Sequence, residues 1–291
     1  GAERTARAGQ HQPPSARVRP QPIAPAPAVT APSGARLTIR GMEPGIITRV
    51  SDGTATVILS HPAKRNAMTT GMWRELPPLL DRLAADRAVR VLVLTGAGGT
   101  FCAGADIGSL RGSAEAEKGL ATAAEEALAA FPKPTLAAIR GYCVGGGCQL
   151  AAACDLRFAE EGAQFGVPPA KLGIVYPATS TRRLVRLVGP STAKYLLFSG
   201  ELIGCARALR TGLLDEVLPE GELDKRVARF TAVLASRSQL TQAAAKEFAD
   251  GPADGERVAH WEAQAHESGD TAEGVAAFLE RREPRFTWSV R

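Results

Sequence analysis

The chain has 291 residues, 45% of them hydrophobic, enough apolar material for one large folded domain. Its net charge of +5 is concentrated at the start, where residues 1–44 hold six arginines against two glutamates; the remainder is nearly neutral, which gives a nucleic-acid role little support. No apolar run approaches the roughly 18 residues that span a bilayer, and neither the five cysteines nor the four histidines fall at metal-ligand spacing. Without a Cys-x-x-Cys pair, and mostly in apolar or glycine-rich surroundings, the thiols are expected to be reduced, in a cytoplasmic setting.

Residues 1–44 contain eight prolines and no hydrophobic periodicity, so they are expected to form a disordered Pro/Ala/Arg-rich extension. An arginine-rich, acid-poor start also suits a mitochondrial transit peptide, but the prolines oppose the amphipathic helix that such a peptide needs. Two β-branched runs around Ser51-Asp52-Gly53 predict a hairpin over 46–60. Residues 69–87 are helical in pattern, although Pro77 and Pro78 are expected to break or kink them. A strand at 90–95, an Ala/Glu-rich helix at 113–130 and strands at 135–140 and 155–159 follow. A loop is expected from Phe165 to Tyr176, then helices 178–188 and 191–199 separated by Gly189-Pro190, helix 205–211 and strand 213–218. The last seventy residues are helical in pattern throughout, at 220–236, 239–249, 256–267 and 271–282.

Two stretches stand apart. Residues 141–150 read Gly-Tyr-Cys-Val-Gly-Gly-Gly-Cys-Gln-Leu, three glycines at the mouth of an Ala/Leu-rich helix. Glycines there allow close approach to the backbone, and the free N–H groups of the first turn attract a negatively charged oxygen; tight packing of helix on strand is the alternative. No Gly-Lys-Ser/Thr follows, so a phosphate loop is not indicated. Residues 101–107 read Phe-Cys-Ala-Gly-Ala-Asp-Ile after a buried-looking strand.

Together with His-Pro-Ala-Lys-Arg-Asn-Ala at 61–67, these paired stretches resemble the crotonase (enoyl-CoA hydratase/isomerase) superfamily from about Gly45 onward. The resemblance implies an α/β fold, a crotonase-type spiral of repeated ββα units over 45–219, with a C-terminal helical trimerisation region over 220–291. It implies a homotrimer or dimer of trimers, no permanently bound cofactor, and a coenzyme A or carrier-protein thioester as substrate. By position in the motifs, the N–H groups of Ala105 and Gly146 hold the thioester oxygen as it gains negative charge. Coenzyme A is expected along Ala103, Ala105, Asp106 and Ile107, reaching Gly146, with Lys64 or Arg65 near its phosphates. Asp106 is also expected to cap the short helix it opens.

The chain departs from the superfamily's hydratases, which carry glutamates where Gln149 and Pro169 stand here. Neither residue exchanges a proton, so two-glutamate hydration is not expected. Decarboxylation of a malonyl-type thioester needs no base, and Leu-Gly-Ile-Val-Tyr-Pro at 172–177 resembles a segment of the superfamily's methylmalonyl-CoA decarboxylases, with Tyr176 at their active-site tyrosine. Decarboxylation is therefore the leading expectation, with Gln149 as a neutral hydrogen-bonding wall. The alternatives are an isomerase or atypical hydratase, with His61 or His260 as acid or base, and a non-catalytic acyl-CoA binder.

Overall fold

The computed structural model describes residues 43–108 and 114–290, with side chains from Lys118 onward in the helix that begins at Ala114. The expected disorder of 1–44 therefore lies almost wholly outside the described residues. β1 (Gly45–Ser51) and β2 (Thr54–Ser60) pair antiparallel around Asp52 and Gly53. Both turn residues have positive φ, 50° and 77°, the geometry that matches the right-handed twist of the two strands.

From β2 the chain winds. α1 (Thr70–Ala85) leads to β3 (Val91–Gly96), and α2 (Ala114–Ala129) to β4 (Thr135–Ile139). β5 (Tyr142–Val144) and α3 (Gly146–Ala153) precede β6 (Leu156–Glu160) and β7 (Gln164–Gly166). Then come α4 (Ala178–Ser199), β8 (Ile203–Gly204), α5 (Cys205–Thr211) and β9 (Glu216–Leu218). One sheet has the order β1-β2-β3-β4-β6-β9, parallel beyond the first hairpin; the second has the order β5-β7-β8. Each turn thus adds a strand to the large sheet and a helix outside it, and from β4 onward strands to the second sheet as well, the spiral that the resemblance implies. β3 and β4, covered on both faces, are near-continuous apolar runs, as parallel strands should be.

α1 runs through Pro77 and Pro78 without a break, unlike the expectation. The Thr69 hydroxyl accepts from Met72 N–H at 3.2 Å to start it, and Met72, Trp73, Leu76, Leu79, Leu80 and Leu83 bury one face. That burial outweighs the backbone hydrogen bonds two prolines remove. At its end the buried Lys133 donates to the carbonyls of Asp86 at 2.7 Å and Leu83 at 3.4 Å. The break in α4 is where it was expected: Gly189, with φ 73° and ψ 164°, divides it. The 165–176 segment is less irregular than expected, since β7 overlaps its start and Pro169–Lys171 form a 3-10 turn. β8 was not anticipated, and the strand expected over 213–218 is only Glu216–Leu218.

α6 (Leu223–Ser236), α7 (Gln239–Asp250), α8 (Gly255–Ser268) and α9 (Asp270–Glu280) complete the chain. α6 lies on the large sheet, where Leu223, Val227 and Phe230 meet Val93, Leu136, Phe158 and Leu218. Among the described residues no helix is long and apolar enough to cross a membrane.

Candidate active site

The two glycine-rich stretches meet because the loop after β3 is clamped on both sides. Toward β5, Phe101 N–H donates to Arg140 O, Cys102 N–H to Tyr142 O, and Val144 N–H to Cys102 O. Toward the loop after β2, Ala103 N–H donates to Arg65 O at 3.0 Å, Met68 N–H to Gly104 O at 2.8 Å, and Asp106 N–H to Met68 O at 2.8 Å. Ala105, between the last two bonds, turns its own N–H away from Met68. Across from it, the first helical bond of α3 runs from Gln149 N–H to Gly145 O, so the N–H of Gly146 precedes the helical ladder. Among the described residues neither N–H donates to a backbone acceptor outside the regular elements.

The glycines make this approach possible. A methyl group on Gly147 would lie 2.3 Å from Cys102 O, and one on Gly146 2.9 Å from the Trp73 ring and 3.5 Å from Ala105 N. Gly145 has φ 55° and Gly104 φ 111°, both costly for any other residue. Gly147 thus serves the packing that one reading of the triple glycine expected, while Gly146 faces the neighbouring loop.

A cavity of about 480 Å³ opens beside these N–H groups. It is lined by Trp73, Ala103, Ala105, Ile107, Gly146, Gln149, Pro169 and Tyr176, among others, with Lys118 and Ala121 of α2 on one wall. Trp73 is fully buried and its indole N–H has no acceptor among the described residues. Burial, with neighbouring Cys148 and Glu125, pushes the Tyr176 phenol well above its usual range, so it remains an O–H donor. Beneath the floor, burial pushes the Cys102 thiol up to about 12 and raises Cys143 as well, which removes both as nucleophiles at neutral pH. A groove of about 610 Å³ between the large sheet and α6 contains none of the expected site residues.

Behind Gln149 stands a residue that sequence reasoning missed. Glu125 of α2 is fully buried. Its Oε2 accepts from Gln149 Nε2 at 2.6 Å and from the Ser180 hydroxyl, and its Oε1 accepts from Arg183 Nη1. Gln149 Nε2 also donates to Ser180 Oγ at 3.2 Å, and Arg183 Nη2 to Glu126 Oε1 at 3.2 Å. Because Glu125 Oε2 and Ser180 Oγ are bonded to each other, they lie on one side of Gln149 Nε2, so one N–H of Gln149 is committed to this pair. The neutrality of Gln149 also has a nearer cause than a substrate charge, since a glutamate there would face the carboxylate of Glu125.

The remaining expected residues sort by distance from the cavity. Lys64 Nζ pairs with both carboxylate oxygens of Asp106, at 2.8 and 2.7 Å, and this bond holds the Asp106 carboxyl below its usual range. Asp106 also accepts from Gly108 N–H at 3.1 Å, as a residue opening a turn does; the helix expected beyond it falls partly outside the described residues. Arg65 stacks over the Tyr142 ring at 4.9 Å. Neither histidine lines the cavity. His61 is buried with Nδ1 2.9 Å from Ala67 O, and His260 lies on α8 beside Trp261. Among the described residues no group of His, Cys, Asp and Glu is placed to hold a metal ion.

Known proteins show the same organisation. A family model described as enoyl-CoA hydratase/isomerase matches residues 49–289. The 2,3-dehydroadipyl-CoA hydratase of Escherichia coli (strain K12) is 35% identical over 244 residues, covering 78% of this chain and 92% of that protein. The crotonyl-CoA hydratase of Syntrophomonas wolfei is 34% identical over 252 residues, covering 83% and 97%. The crystal structure of a putative enoyl-CoA hydratase/isomerase family protein from Hyphomonas neptunium superposes with a TM-score of 0.79 at 35% identity, covering 84% of this chain and 98% of that one. With a family match over most of its length and relatives of this identity and coverage, the chain belongs to the enoyl-CoA hydratase/isomerase family.

Proposed function

We propose that the cavity takes an acyl-CoA thioester with its carbonyl oxygen between the N–H groups of Ala105 and Gly146, and that the chain acts by stabilising the enolate formed there. The observation that carries this is the pair of backbone N–H groups, held by clamped loops and left outside the local ladders, at the side of an acyl-sized cavity. A donor of this kind contributes roughly 2.7–4 kcal/mol to a developing oxyanion. Ala103 and Ile107 line the coenzyme A side, and the Lys64–Asp106 pair, outside that lining but with Asp106 between Ala105 and Ile107 in the chain, is assigned to its phosphates.

For the acyl chain we take the reaction to be hydration, its reverse, or isomerisation of an enoyl thioester. The hydratase names of the relatives support this, and the Oε1 that Gln149 turns away from Glu125 counts against a carboxylate-bearing substrate. Tyr176 is then the O–H donor on the acyl side. Because Gln149 and Pro169 supply no acid or base, hydration should be slow, short of the roughly 10²- to 10⁴-fold that positioned proton transfer contributes. Decarboxylation of a malonyl-type thioester is the second reading, favoured by the phenol of Tyr176 and the absence of an acid at 169. The trimer belongs to this proposal too, with α9 as a contact surface.

Incubation with crotonyl-, malonyl- and methylmalonyl-CoA, with products identified by mass, separates these reactions. Slow formation of 3-hydroxybutyryl-CoA is expected; loss of carbon dioxide from a malonyl thioester would establish the second reading. Thioester binding with no turnover of any of the three would leave a binding protein. Gly146→Pro, which deletes one N–H, should lower affinity and turnover in a folded protein, and unchanged values would remove the enolate assignment.

A further inference from the structure

We propose that Glu125 is a positioning residue for the acyl site: with Ser180 it holds the side-chain amide of Gln149 so that the amide's carbonyl oxygen is the atom offered to the acyl chain. The direction of every hydrogen bond in the cluster follows from which groups carry protons. Glu125, ion-paired through Oε1 with Arg183, accepts and does not donate. The Ser180 hydroxyl gives its single proton to Glu125 Oε2, so toward Gln149 it acts only as an acceptor. Gln149 Nε2 therefore turns one hydrogen toward Glu125 at 2.6 Å, with Ser180 Oγ on the same side at 3.2 Å. Turning the amide over would set its oxygen against the carboxylate.

What remains is Oε1 of Gln149. Gln149 lines the cavity, and among the described residues no donor meets that oxygen. Glu125 itself is fully buried and does not line the cavity, so it acts through Gln149 and not on the substrate. The wall one turn of α3 beyond Gly146 thus offers this oxygen as an acceptor. It suits a hydroxyl or a water hydrogen near the β-carbon and repels a carboxylate at the same place. The oxygen that orients the acyl end is governed from α2 and α4, neither of which belongs to the glycine-rich motifs.

This inference rests on the acyl-CoA reading of the cavity, and one titration separates the two. The full chain is titrated calorimetrically with butyryl-CoA, 3-hydroxybutyryl-CoA and malonyl-CoA. The wild type should bind the hydroxyl thioester about three- to tenfold more tightly than butyryl-CoA, the value of one neutral hydrogen bond, and malonyl-CoA more weakly than either. In Glu125→Gln the new amide can donate to Gln149, which frees the Gln149 amide to turn. The hydroxyl preference should vanish while butyryl-CoA affinity stays within about twofold, a change in ratio that general loosening of the fold would not produce. Gln149→Met, which deletes the acceptor without touching the Arg183 pair, should do the same if Glu125→Gln does not fold. Butyryl-CoA binding with no hydroxyl preference in the wild type, or a preference that survives either substitution, overturns the role given to Glu125. No binding of butyryl-CoA to the wild type overturns the acyl-CoA reading and this inference with it.

Discussion

Neighbouring glutamates on α2 have opposite fates. Glu125 is fully buried, whereas the Glu126 side chain is 49% exposed, so one rotation of 100° separates a structural carboxylate from a solvated one. The clearest consequence concerns position 149. Replacing Gln149 with glutamate would set two carboxylates where Nε2 and Oε2 now stand 2.6 Å apart. The pair would hold on to one proton, which raises its folded pKa above the unfolded value of about 4.3. A raised folded pKa stabilises below the unfolded value and loses that contribution as pH rises, so Gln149→Glu should be destabilised relative to wild type at pH 8 and less so at pH 5. Urea denaturation at the two pH values measures this; a deficit independent of pH would mean that the two carboxylates do not meet. Tyr176 makes a second test. Its raised phenol pKa keeps it protonated, and Tyr176→Phe should lower kcat by about ten- to a hundredfold if that O–H meets developing charge, the equivalent of about 1.5–3 kcal/mol. An unchanged kcat would leave Tyr176 as a packing residue of the cavity wall.

At the scale of elements, the site depends on ends and edges, not on the middles of helices or strands. The loop after β3 contributes Ala105 because it is bonded on both sides, and α3 contributes Gly146 because a helix begins there. α1 supplies the wall behind them through Trp73. That helix contains two prolines and is closed by a side chain from elsewhere, Lys133, whose own pKa burial lowers. Lys133→Met keeps the length but removes the donor, leaving the Leu83 carbonyl without it and the Asp86 carbonyl with the Val89 N–H alone. A loss of about 1–3 kcal/mol in chemical denaturation is expected, and a neutral result would mean that water replaces the ammonium without cost.

At the scale of the whole molecule, one exposed apolar surface among the described residues lies at the C-terminal end. On α9, Phe278 is 82% and Leu279 74% exposed, beside Val275 at 56%, a concentration of apolar side chains that association would cover. Light scattering should report a trimer or a multiple of it, and Phe278→Asp combined with Leu279→Asp should shift the mass toward a single chain. A wild-type mass of one chain would withdraw the trimer.

What the sequence determined by itself was what depends on neighbours along the chain. The Asp52-Gly53 hairpin, the break at Gly189-Pro190, the order of the longer helices and strands, and the pair of glycine-rich stretches are all carried by local stereochemistry and periodicity. The short strands β5, β7 and β8 were not legible, because two or three residues hold no period and exist only through their partners. Nor was Glu125, set in an Ala/Glu-rich helix where glutamates generally face solvent, although its place with Ala121, Ala124 and Leu128 at helical spacing was a trace of burial. Only tertiary structure decided which glutamate turned inward, which way the amide of Gln149 was held, and hence what that wall offers a substrate. Those outcomes belong to packing between α2, α3 and α4, where one buried charge constrains every polar group around it.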